Sequence, residues 1–456
     1  MPDLERAYRS LPVAAQHAVV SLEGRRVVRQ RINNPESRRL LQAAEARDTW
    51  STARIEELRD ERLRRMVSHA YDHVPYYRHL FDEHGIPPDS ILCLADLRQL
   101  PVLSKATIQD AGVAIHDDRK DRPPSLVAHT SGTTGGGLRF PVTHSAMREQ
   151  WAVWWRYRRR HDLALGTWCG YFGGRSVVPV ERRRAPYWRY DFGGRRVLFS
   201  AYHLNEETAI AYASEIRRRR LPWLHGYPSM LALFASFLSA AGQTLEGVVR
   251  WTTCGAESLL PHQRAVIADV FGVDPLEHYG MAEGVANASQ CLNGKLHIDE
   301  DFAAVELVPN DQLGAYSIIG TTLANTAAPL IRYDTQDVVG GISTCNCGLP
   351  GRVIEAIDGR QEDYVVLPDG SRLGRLDHIF KDLVAVREAQ IRQDEVGIVD
   401  FLIVKGPTYS ASDEAALLSE ARRRLGRDTN VRIHYVDQIP RTSSGKLRFV
   451  VTSVTS

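Results

Sequence analysis

The chain has 456 residues, too many for one ordinary hydrophobic core, so the length predicts two to four domains. Its composition, 43% hydrophobic and 25% charged, is typical of a globular protein. The 57 basic and 55 acidic side chains leave a net charge of only +2, which argues against a nucleic-acid binder. The basic runs 158–160, 182–184 and 217–220 are interpreted as solvated helix faces, with phosphate or partner contacts as the alternative.

The sequence also argues against a membrane protein and a disulfide scaffold. No segment reaches the roughly 18 consecutive apolar residues that a membrane-spanning helix requires. The first residues lack the basic start and apolar core of a signal peptide. Six cysteines are too few to staple a chain of this length. We therefore expect a cytoplasmic protein with reduced thiols.

The hydrophobic periodicity predicts an α/β protein. Residues 1 to about 110 are expected to be mainly helical, with breaks at Pro75 and Pro87. From about 120 to 340, short β-rich runs alternate with helical ones, which predicts α/β layers with mostly parallel sheets. The expected elements are strands at 126–129 and 248–254 and helices at 145–157, 207–219 and 413–425. The last hundred residues resemble a small α+β domain.

Two groups of side chains are expected to be structural. Trp151, Trp154 and Trp155 have helical spacing, which is more typical of core packing than of a ligand site. Cys93, Cys169 and Cys254 have apolar neighbours and are predicted to be small buried side chains.

The segment 129–137, His-Thr-Ser-Gly-Thr-Thr-Gly-Gly-Gly, is the most informative in the chain. Glycines let backbone N–H groups approach a ligand closely, and hydroxyls add further donors. The segment can therefore wrap a polyphosphate, although it lacks the Gly-Lys-Ser/Thr ending of a Walker loop. Taken alone, its composition is more typical of a flexible turn.

Four further motifs follow in a fixed order. They are Tyr-Gly-Met-Ala-Glu at 279–283, Ile-Arg-Tyr-Asp-Thr-Gln-Asp at 331–337, Gly-Arg-Gln-Glu-Asp at 359–363 and Pro-Arg-Thr-Ser-Ser-Gly-Lys at 440–446. With these motifs the sequence resembles the adenylate-forming superfamily of acyl-CoA synthetases and related ligases. Within it, the chain is most similar to the phenylacetate–CoA ligase-like branch, which includes the capsular-polysaccharide proteins grouped with it. The resemblance covers most of the chain.

The resemblance implies a fold and an activity. The fold is a large multi-layer N-terminal adenylation domain, residues 1–358, and a small mobile α+β C-terminal domain, residues 359–456. Rotation around Glu362 would switch between two half-reactions. In the first, a carboxylate attacks the α-phosphorus of ATP to give an acyl-adenylate and pyrophosphate. In the second, the acyl group passes to an acceptor.

The resemblance also assigns roles to individual residues. Lys446 would bridge the attacking carboxylate and the α-phosphate, where a compact positive charge is most useful. Glu283 would hold Mg²⁺, a hard cation that prefers oxygen ligands. Asp337 would accept both ribose hydroxyls, and Tyr279 would stack on adenine. The remaining nucleotide-binding positions are Ser131, Gly132, Thr133, Thr134 and Gly135 around the phosphates, with Thr133 also counted as catalytic, and Gly255, Ala256, Glu257, His278, Gly280, Arg352 and Arg360.

Two positions depart from the family pattern. Gln336 stands where many relatives carry Gly or Arg, and Glu362 stands where the hinge residue is usually Asp. Neither change removes a charge that the chemistry requires.

The acid pocket is placed by the resemblance around Tyr227, Pro228 and Ser229, and the glycine-aromatic turn at Phe172 and Gly173 is a second candidate wall. Aromatic walls favour a flat aryl acid. Core packing of Tyr227 and Phe172 is the alternative.

A structural zinc site is predicted from cysteine and histidine spacing. Cys345 and Cys347 form a tight pair, and Cys291 and His297 lie upstream on an expected hairpin. Together they offer four tetrahedral ligands. The Cys-x-Cys spacing is tighter than usual, but some members of the resembled branch share it. Unliganded reduced cysteines are the alternative.

The sequence thus predicts an ATP- and Mg²⁺-dependent carboxylic acid ligase. CoA is the expected acceptor, with an amine or a carrier protein as the alternative, and a homodimer is kept as an alternative to a monomer. Hypotheses from other classes are a non-catalytic nucleotide-binding protein and a zinc-dependent interaction module. The presence of Lys446, Glu283 and Asp337 together argues against a decayed enzyme.

Overall fold

The computed structural model describes residues 7–130, 137–173, 177–311, 313–355, 357–360, 364–373, 376, 379, 385–406, 409–426, 428–442 and 445–454, with only the backbone at 358, 360 and 372. The chain forms two compact units. The first unit comprises Met1–Val28, Ala164–Glu277 and Gln361–Ser456, and the second unit comprises Arg29–Leu163 and His278–Arg360.

The predicted helical N-terminal part is confirmed. A Pro ends or begins helices where expected: one helix ends at His73, and the next begins at Pro75, whose ring cannot continue the preceding helix. Side chains cap several helix starts; the Asn34 Oδ1 accepts from the Ser37 N–H at 2.9 Å. The α-helices described are α1 (Val13–Arg31), α2 (Pro35–Arg47), α3 (Thr52–His73), α4 (Pro75–His84), α5 (Lys105–Ala111), α6 (His144–Arg160), α7 (Glu206–Arg219), α8 (Pro228–Ala240), α9 (Pro261–Phe271) and α10 (Ala411–Leu425).

Strands begin after residue 124 and alternate with helices up to residue 280. The described strands are β1 (Ser125–His129), β2 (Arg139–Thr143), β3 (Cys169–Phe172), β4 (Trp188–Asp191), β5 (Arg196–Phe199), β6 (Trp223–Gly226), β7 (Trp251–Cys254), β8 (Leu276–Gly280), β9 (Asn287–Gln290), β10 (Leu296–Ile298), β11 (Ala303–Asn310), β12 (Ala315–Thr322), β13 (Tyr333–Val339), β14 (Ile342–Ser343), β15 (Val353–Ile354), β16 (Ile357–Arg360), β17 (Val365–Val366), β18 (Arg372–Leu373), β19 (Val386–Glu395), β20 (Ile398–Lys405), β21 (Asn430–Tyr435) and β22 (Val450–Thr452).

The first unit contains the parallel sheet that the alternation predicts. Strands β5, β3, β6, β7 and the start of β8 are parallel neighbours, and β4 adds an antiparallel edge. Helices α7, α8 and α9 supply the apolar side chains that cover it, in a core that includes Phe172, Tyr212, Phe234 and Phe271. The carboxyl ends of these parallel strands are where ligands bind in open α/β sheets.

The C-terminal part of the first unit is a small α+β layer. Its sheet has the order β21-β20-β19-β22, with an antiparallel β19–β20 pair in the centre. Helix α10 packs on this sheet through Leu417, Ala421 and Leu425. The predicted small domain with one helix agrees with this arrangement.

The second unit is antiparallel, which the prediction of mostly parallel sheets did not anticipate. One sheet joins the end of β8 to β9, β10, β15 and β14, and a second has the order β11-β12-β13-β16. Two apolar cores lie in this unit, one beneath α3 and α4 around Leu63, Tyr77 and Phe81, and one around Val153 and Phe302. No helix in the described parts of the chain is both long and apolar enough to cross a bilayer.

Candidate active site

The segment that carries Lys446 folds into a tight loop. The Thr442 N–H donates to the Lys446 carbonyl at 2.9 Å, and the Lys446 N–H donates to the Thr442 hydroxyl at 3.0 Å. Gly445 has φ +79°, in the left-handed region that favours glycine, which explains a glycine directly before the lysine. Arg441 and Leu447 face each other across the neck of the loop. The loop therefore presents Lys446 from a closed hairpin.

This loop lies against the predicted acid pocket within the first unit. The Leu447 N–H donates to the Glu257 Oε1 at 2.9 Å, and the Ser229 N–H donates to the Glu257 Oε2 at 3.2 Å. The Lys446 Nζ lies 5.9 Å from the centre of the Tyr227 ring. Residues 227–229, 257 and 446, which are far apart in the sequence, are thus brought together.

Glu257 joins the end of β7 to the start of α8. Pro228 is the first residue of that helix, and the carboxylate accepts the Ser229 N–H of its first turn, where a negative charge is stabilised. Burial raises the pKa of Glu257 above its ordinary value, and the hydrogen bonds from Ser229 and Leu447 offset part of that rise.

Phe172 lies in the hydrophobic core. Its ring stacks on Phe199 and Phe234, each at a centroid distance of 4.9 Å, and none of its surface is exposed. Phe172 is therefore a core residue, which was the alternative interpretation. It does not line an open pocket, and its assignment as a pocket wall is corrected. Tyr227 is half-buried beside the lysine loop.

Tyr279 and Asp337 meet in the second unit. The Tyr279 hydroxyl donates to the Asp337 Oδ2 at 2.7 Å, and Asp337 is only 8% exposed. The preceding Gln336 has φ +60°, a conformation that costs a side-chain-bearing residue energy and that glycine adopts freely. The backbone at position 336 is therefore one that glycine would adopt more easily than glutamine does.

The motif around Tyr279 is packed by α6. The Gln150 side-chain amide donates to the Met281 carbonyl at 2.6 Å, and the Trp154 Nε1 donates to the Asn287 Oδ1 at 2.9 Å. A Cβ on Gly280 would lie 2.5 Å from that Asn287 oxygen, so no larger residue fits there. His278 stacks on Tyr157 at 5.1 Å. Trp154 thus helps to support the motif, in addition to the core role expected for the tryptophans.

Of the other predicted nucleotide-binding residues, some lie elsewhere in the second unit and others fall outside the described residues. Arg352 donates to the buried Glu300 at 2.7 Å, a contact that joins the segment before β15 to the turn after β10. Glu283 lies in the turn after β8. Residues 131–136, the hinge residue Glu362 and the Arg360 side chain fall outside the described residues. Their roles, and the boundary at residue 358, stay predictions.

Four predicted metal ligands converge in the second unit. All the ligand atoms of Cys291, His297, Cys345 and Cys347 lie within 4.8 Å of one another. The Cys291 and Cys345 sulfurs are 3.8 Å apart, and the Cys347 sulfur is 3.3 Å from the His297 Nε2. A tetrahedral zinc ion with bonds of about 2.3 Å to sulfur and about 2.0 Å to nitrogen gives edges of about 3.8 and about 3.5 Å.

The surroundings of the cluster also suit a metal ion. The His297 Nδ1 lies 3.1 Å from the Pro350 carbonyl, an acceptor, so this nitrogen carries the proton and Nε2 is free to bind a metal. Burial raises the pKa of the Cys345 thiol, but hydrogen bonds from His297 and the Cys347 backbone outweigh it and lower that pKa below the ordinary value. The residues therefore fit a zinc site with four protein ligands.

A buried ionic network beside this cluster was not predicted. The Arg156 guanidinium donates to Asp299 at 2.7 Å and to Asp301 at 2.8 Å, and Arg47 donates to Asp301 at 2.6 Å. Burial alone would raise the pKa of Asp301, but Arg156 and Arg47 hold it well below its ordinary range. The run Asp-Glu-Asp directly after an apolar strand was the available sequence signal.

The chain is similar to known proteins over part or all of its length. Residues 366–453 match the CapK C-terminal domain family. The chain is 22% identical to protein CapK of Staphylococcus aureus over 99% of this chain and 100% of the relative. It is 26% identical to phenylacetate–coenzyme A ligase of Pseudomonas putida over 70% of this chain and 74% of that enzyme. The chain is thus similar to CapK and to phenylacetate–coenzyme A ligases.

A solved structure has the same fold. A 2-hydroxyisobutyryl-CoA ligase in the postadenylation state aligns with a TM-score of 0.69 at 17% identity, covering 89% of this chain and 91% of that one. The predicted α/β class, with a large N-terminal and a smaller C-terminal domain, is therefore confirmed. The similarity to phenylacetate–coenzyme A ligases supports the prediction of an adenylate-forming ligase.

Proposed function

We propose that this protein activates a carboxylic acid with ATP and transfers the acyl group to CoA, and that the acid is an aryl acid. The observation that carries the proposal is the position of the Lys446 loop. The loop lies beside Tyr227, and the Leu447 N–H holds it in place by donating to Glu257. A positive charge held at that place is what a reaction between two anions needs.

The proposed reaction has two steps, formation of the acyl-adenylate and transfer of the acyl group. In the first, a carboxylate oxygen of the acid bonds to the α-phosphorus of ATP while the bond from that phosphorus to the bridging oxygen breaks, and pyrophosphate leaves. Lys446 neutralises charge that develops on the α-phosphate. In the second, the CoA thiol bonds to the acyl carbon, AMP leaves with the electron pair, and the thiol proton passes to solvent.

Nucleotide binding in this proposal uses residues of the second unit. Asp337 would accept the ribose hydroxyls, and its hydrogen bond to Tyr279 supports a fixed carboxylate there. Glu283 would hold Mg²⁺, which when bound supplies positive charge to the phosphates. The Cys291–His297–Cys345–Cys347 cluster would hold a structural zinc ion, because four protein ligands leave no open position for a reactive water.

The choice of an aryl acid has two supports. Several curated relatives are phenylacetate–coenzyme A ligases. Beside the lysine loop, the half-buried Tyr227 offers an aromatic surface on which a flat acid can stack.

A screen for pyrophosphate release tests the proposal. The purified protein is incubated with ATP, Mg²⁺ and single acids: phenylacetate, benzoate, anthranilate, 2-hydroxyisobutyrate and straight-chain acids. Hydroxylamine added without CoA traps an acyl-adenylate as a hydroxamate. We expect an aryl acid to give the fastest release. If none of the tested acids gives pyrophosphate release, the proposed activity is contradicted. If aliphatic acids give faster release than aryl acids, the aryl preference is contradicted.

The acceptor is tested separately. Transfer to an amine or a carrier protein is the second candidate, and the assay with CoA distinguishes the two. With the best acid, thioester formation on adding CoA supports CoA as acceptor. Hydroxamate formation with no CoA thioester supports the second candidate.

A further inference from the structure

Arg441 stands at the neck of the lysine loop and joins three segments of the first unit. Its Nη1 donates to the Ser229 Oγ at 2.6 Å, and its Nη2 donates to the Glu388 carboxylate. Its side chain is 19% exposed, and that of Glu388 is 6% exposed. The forked guanidinium therefore makes two directed contacts in a largely dry place, which an ammonium group would not reproduce.

The two hydrogen-bond partners of Arg441 lie in different parts of the first unit. Glu388 lies on β19, in the same small α+β layer as Arg441 itself. Ser229 lies in the first turn of α8, which belongs to the parallel-sheet part of the unit. The Glu388 contact therefore holds the guanidinium in place, and the Ser229 contact attaches the layer to the helix start.

The opposite side of the neck is attached as well. Leu447, which faces Arg441 across the neck, donates its N–H to Glu257, and Glu257 in turn accepts the Ser229 N–H. Both sides of the loop are thus anchored to the start of α8, one through a side chain and one through the backbone. Lys446 lies between these two anchors.

Charge balance requires the arginine. Burial raises the pKa of Glu388, Arg441 lowers it, and the nearby Glu257 raises it further. Arg441 also lowers the pKa of Glu257. Without Arg441, the buried Glu388 and Glu257 would both lose a positive charge that favours their ionised forms.

We propose that Arg441 is a positioning residue that fixes Lys446 for acyl-adenylate formation, with Ser229 and Glu257 as its anchors on the other side. This role rests on the proposed function. It is specific to the first half-reaction, because the anchors hold the lysine loop against the acid pocket. Arg441 would act on the reaction only through the position of Lys446.

The first experiment needs no substrate. Hydrogen exchange of the Leu447 amide is measured in the full-length protein and in the variants Arg441→Met, Arg441→Lys and Ser229→Ala. We expect exchange at least about tenfold faster in Arg441→Met, with a smaller rise in the other two. Arg432→Met is the matched control, since Arg432 pairs with Asp400 on the surface of the same layer, and its Leu447 exchange is expected to equal that of the unchanged protein. Equal protection of Leu447 in Arg441→Met would overturn the proposal.

The second experiment separates the half-reactions. With the best acid from the screen, adenylate formation is followed by pyrophosphate exchange, and the second step by supplying the synthetic acyl-adenylate with CoA. We expect Arg441→Met to slow the first by about 10²-fold, as a misplaced catalytic group does, and the second by less than about threefold. Equal losses in both steps would overturn the positioning role. If no acid is activated, the proposed function fails, and the exchange experiment alone decides whether Arg441 anchors the loop. Arg441→Lys serves both experiments if Arg441→Met does not fold.

Discussion

The pair of Tyr279 and Asp337 allows a quantitative prediction. Asp337→Asn keeps the shape of the side chain but removes the charge that would receive the ribose hydroxyls. Asparagine keeps one side-chain oxygen, so one hydrogen bond to a charged group is lost, at about 1.5–3 kcal/mol, and Asp337 is only 8% exposed, so water replaces little of that loss. Because about 1.4 kcal/mol is a factor of ten in affinity, we expect the ATP dissociation constant to rise about 10- to 100-fold.

A double-variant cycle isolates the contribution of the tyrosine. Tyr279→Phe removes the hydroxyl that lies 2.7 Å from Asp337 and keeps the ring that would stack on adenine. We expect this change to weaken ATP binding by about 0.5–1.5 kcal/mol, the range for an ordinary hydrogen bond. Since the two groups are in contact, the losses should not add in the double variant.

Isothermal titration calorimetry measures the ATP affinity of the unchanged protein, the two single variants and the double variant. The control is Asp400→Asn, which removes a carboxylate paired with Arg432 and His434 on the small α+β layer and should leave ATP affinity unchanged. An Asp337→Asn protein with unchanged ATP affinity would refute the ribose role. Additive losses in the double variant would refute the coupling between the two side chains.

The remaining predictions concern the lysine, the metal cluster and the buried ionic network. Lys446→Ala should slow pyrophosphate release about 10²- to 10³-fold with little change in ATP affinity by calorimetry, and a near-normal rate would contradict its role. Cys345→Ser should lower the zinc content measured by elemental analysis and reduce the melting temperature by about 2–4 °C, the effect of about 1–2 kcal/mol; an unchanged zinc content and melting temperature would leave the cluster without a metal. Glu300 and Asp301 have lowered pKa values because the pull of neighbouring arginines outweighs burial, so they stabilise the fold above about pH 4, and denaturant titrations should show the free energy of unfolding falling as pH drops below that value. Arg156→Met should reduce it at pH 7 by about 3–5 kcal/mol, the cost of leaving buried charges unpaired, and a loss below about 1 kcal/mol would contradict this reading of the network.

Local patterns predicted the helices well and the ends of strands less well. The helix expected at 207–219 is Glu206–Arg219, because its apolar spacing and its cap are both local. The strand expected at 248–254 begins only at Trp251, since Val248 and Val249 bond back to Leu245 in a turn. Where a strand begins depends on its partner, which the segment itself does not encode.

Runs of like charge were harder to interpret. Consecutive residues on a helix point about 100° apart, so the three arginines at 158–160 cannot share one solvated face. Arg158 is only 3% exposed and lies over the Trp155 ring, which corrects its interpretation as a solvated residue. Cys93 is also different from its prediction, since it is half-buried and its thiol donates to Asp96.

The candidate site could be predicted mainly through its motifs. The order of the motifs led to Lys446, Asp337 and Tyr279, and the cysteine spacing led to the cluster around Cys345. Arg441 was not singled out, because its partners Ser229 and Glu388 lie 212 and 53 residues away in the sequence. Contacts of this kind arise only from the packing of distant segments.

The close approach of Cys291 and Cys345 has a practical consequence for handling the protein. Their sulfurs are 3.8 Å apart, and a disulfide bond of about 2.0 Å is within reach of small side-chain movements. We expect chelator treatment in air to convert this pair to a disulfide, after which added zinc would no longer restore the cluster. Preparations made with and without a reductant should therefore differ in how much zinc they recover.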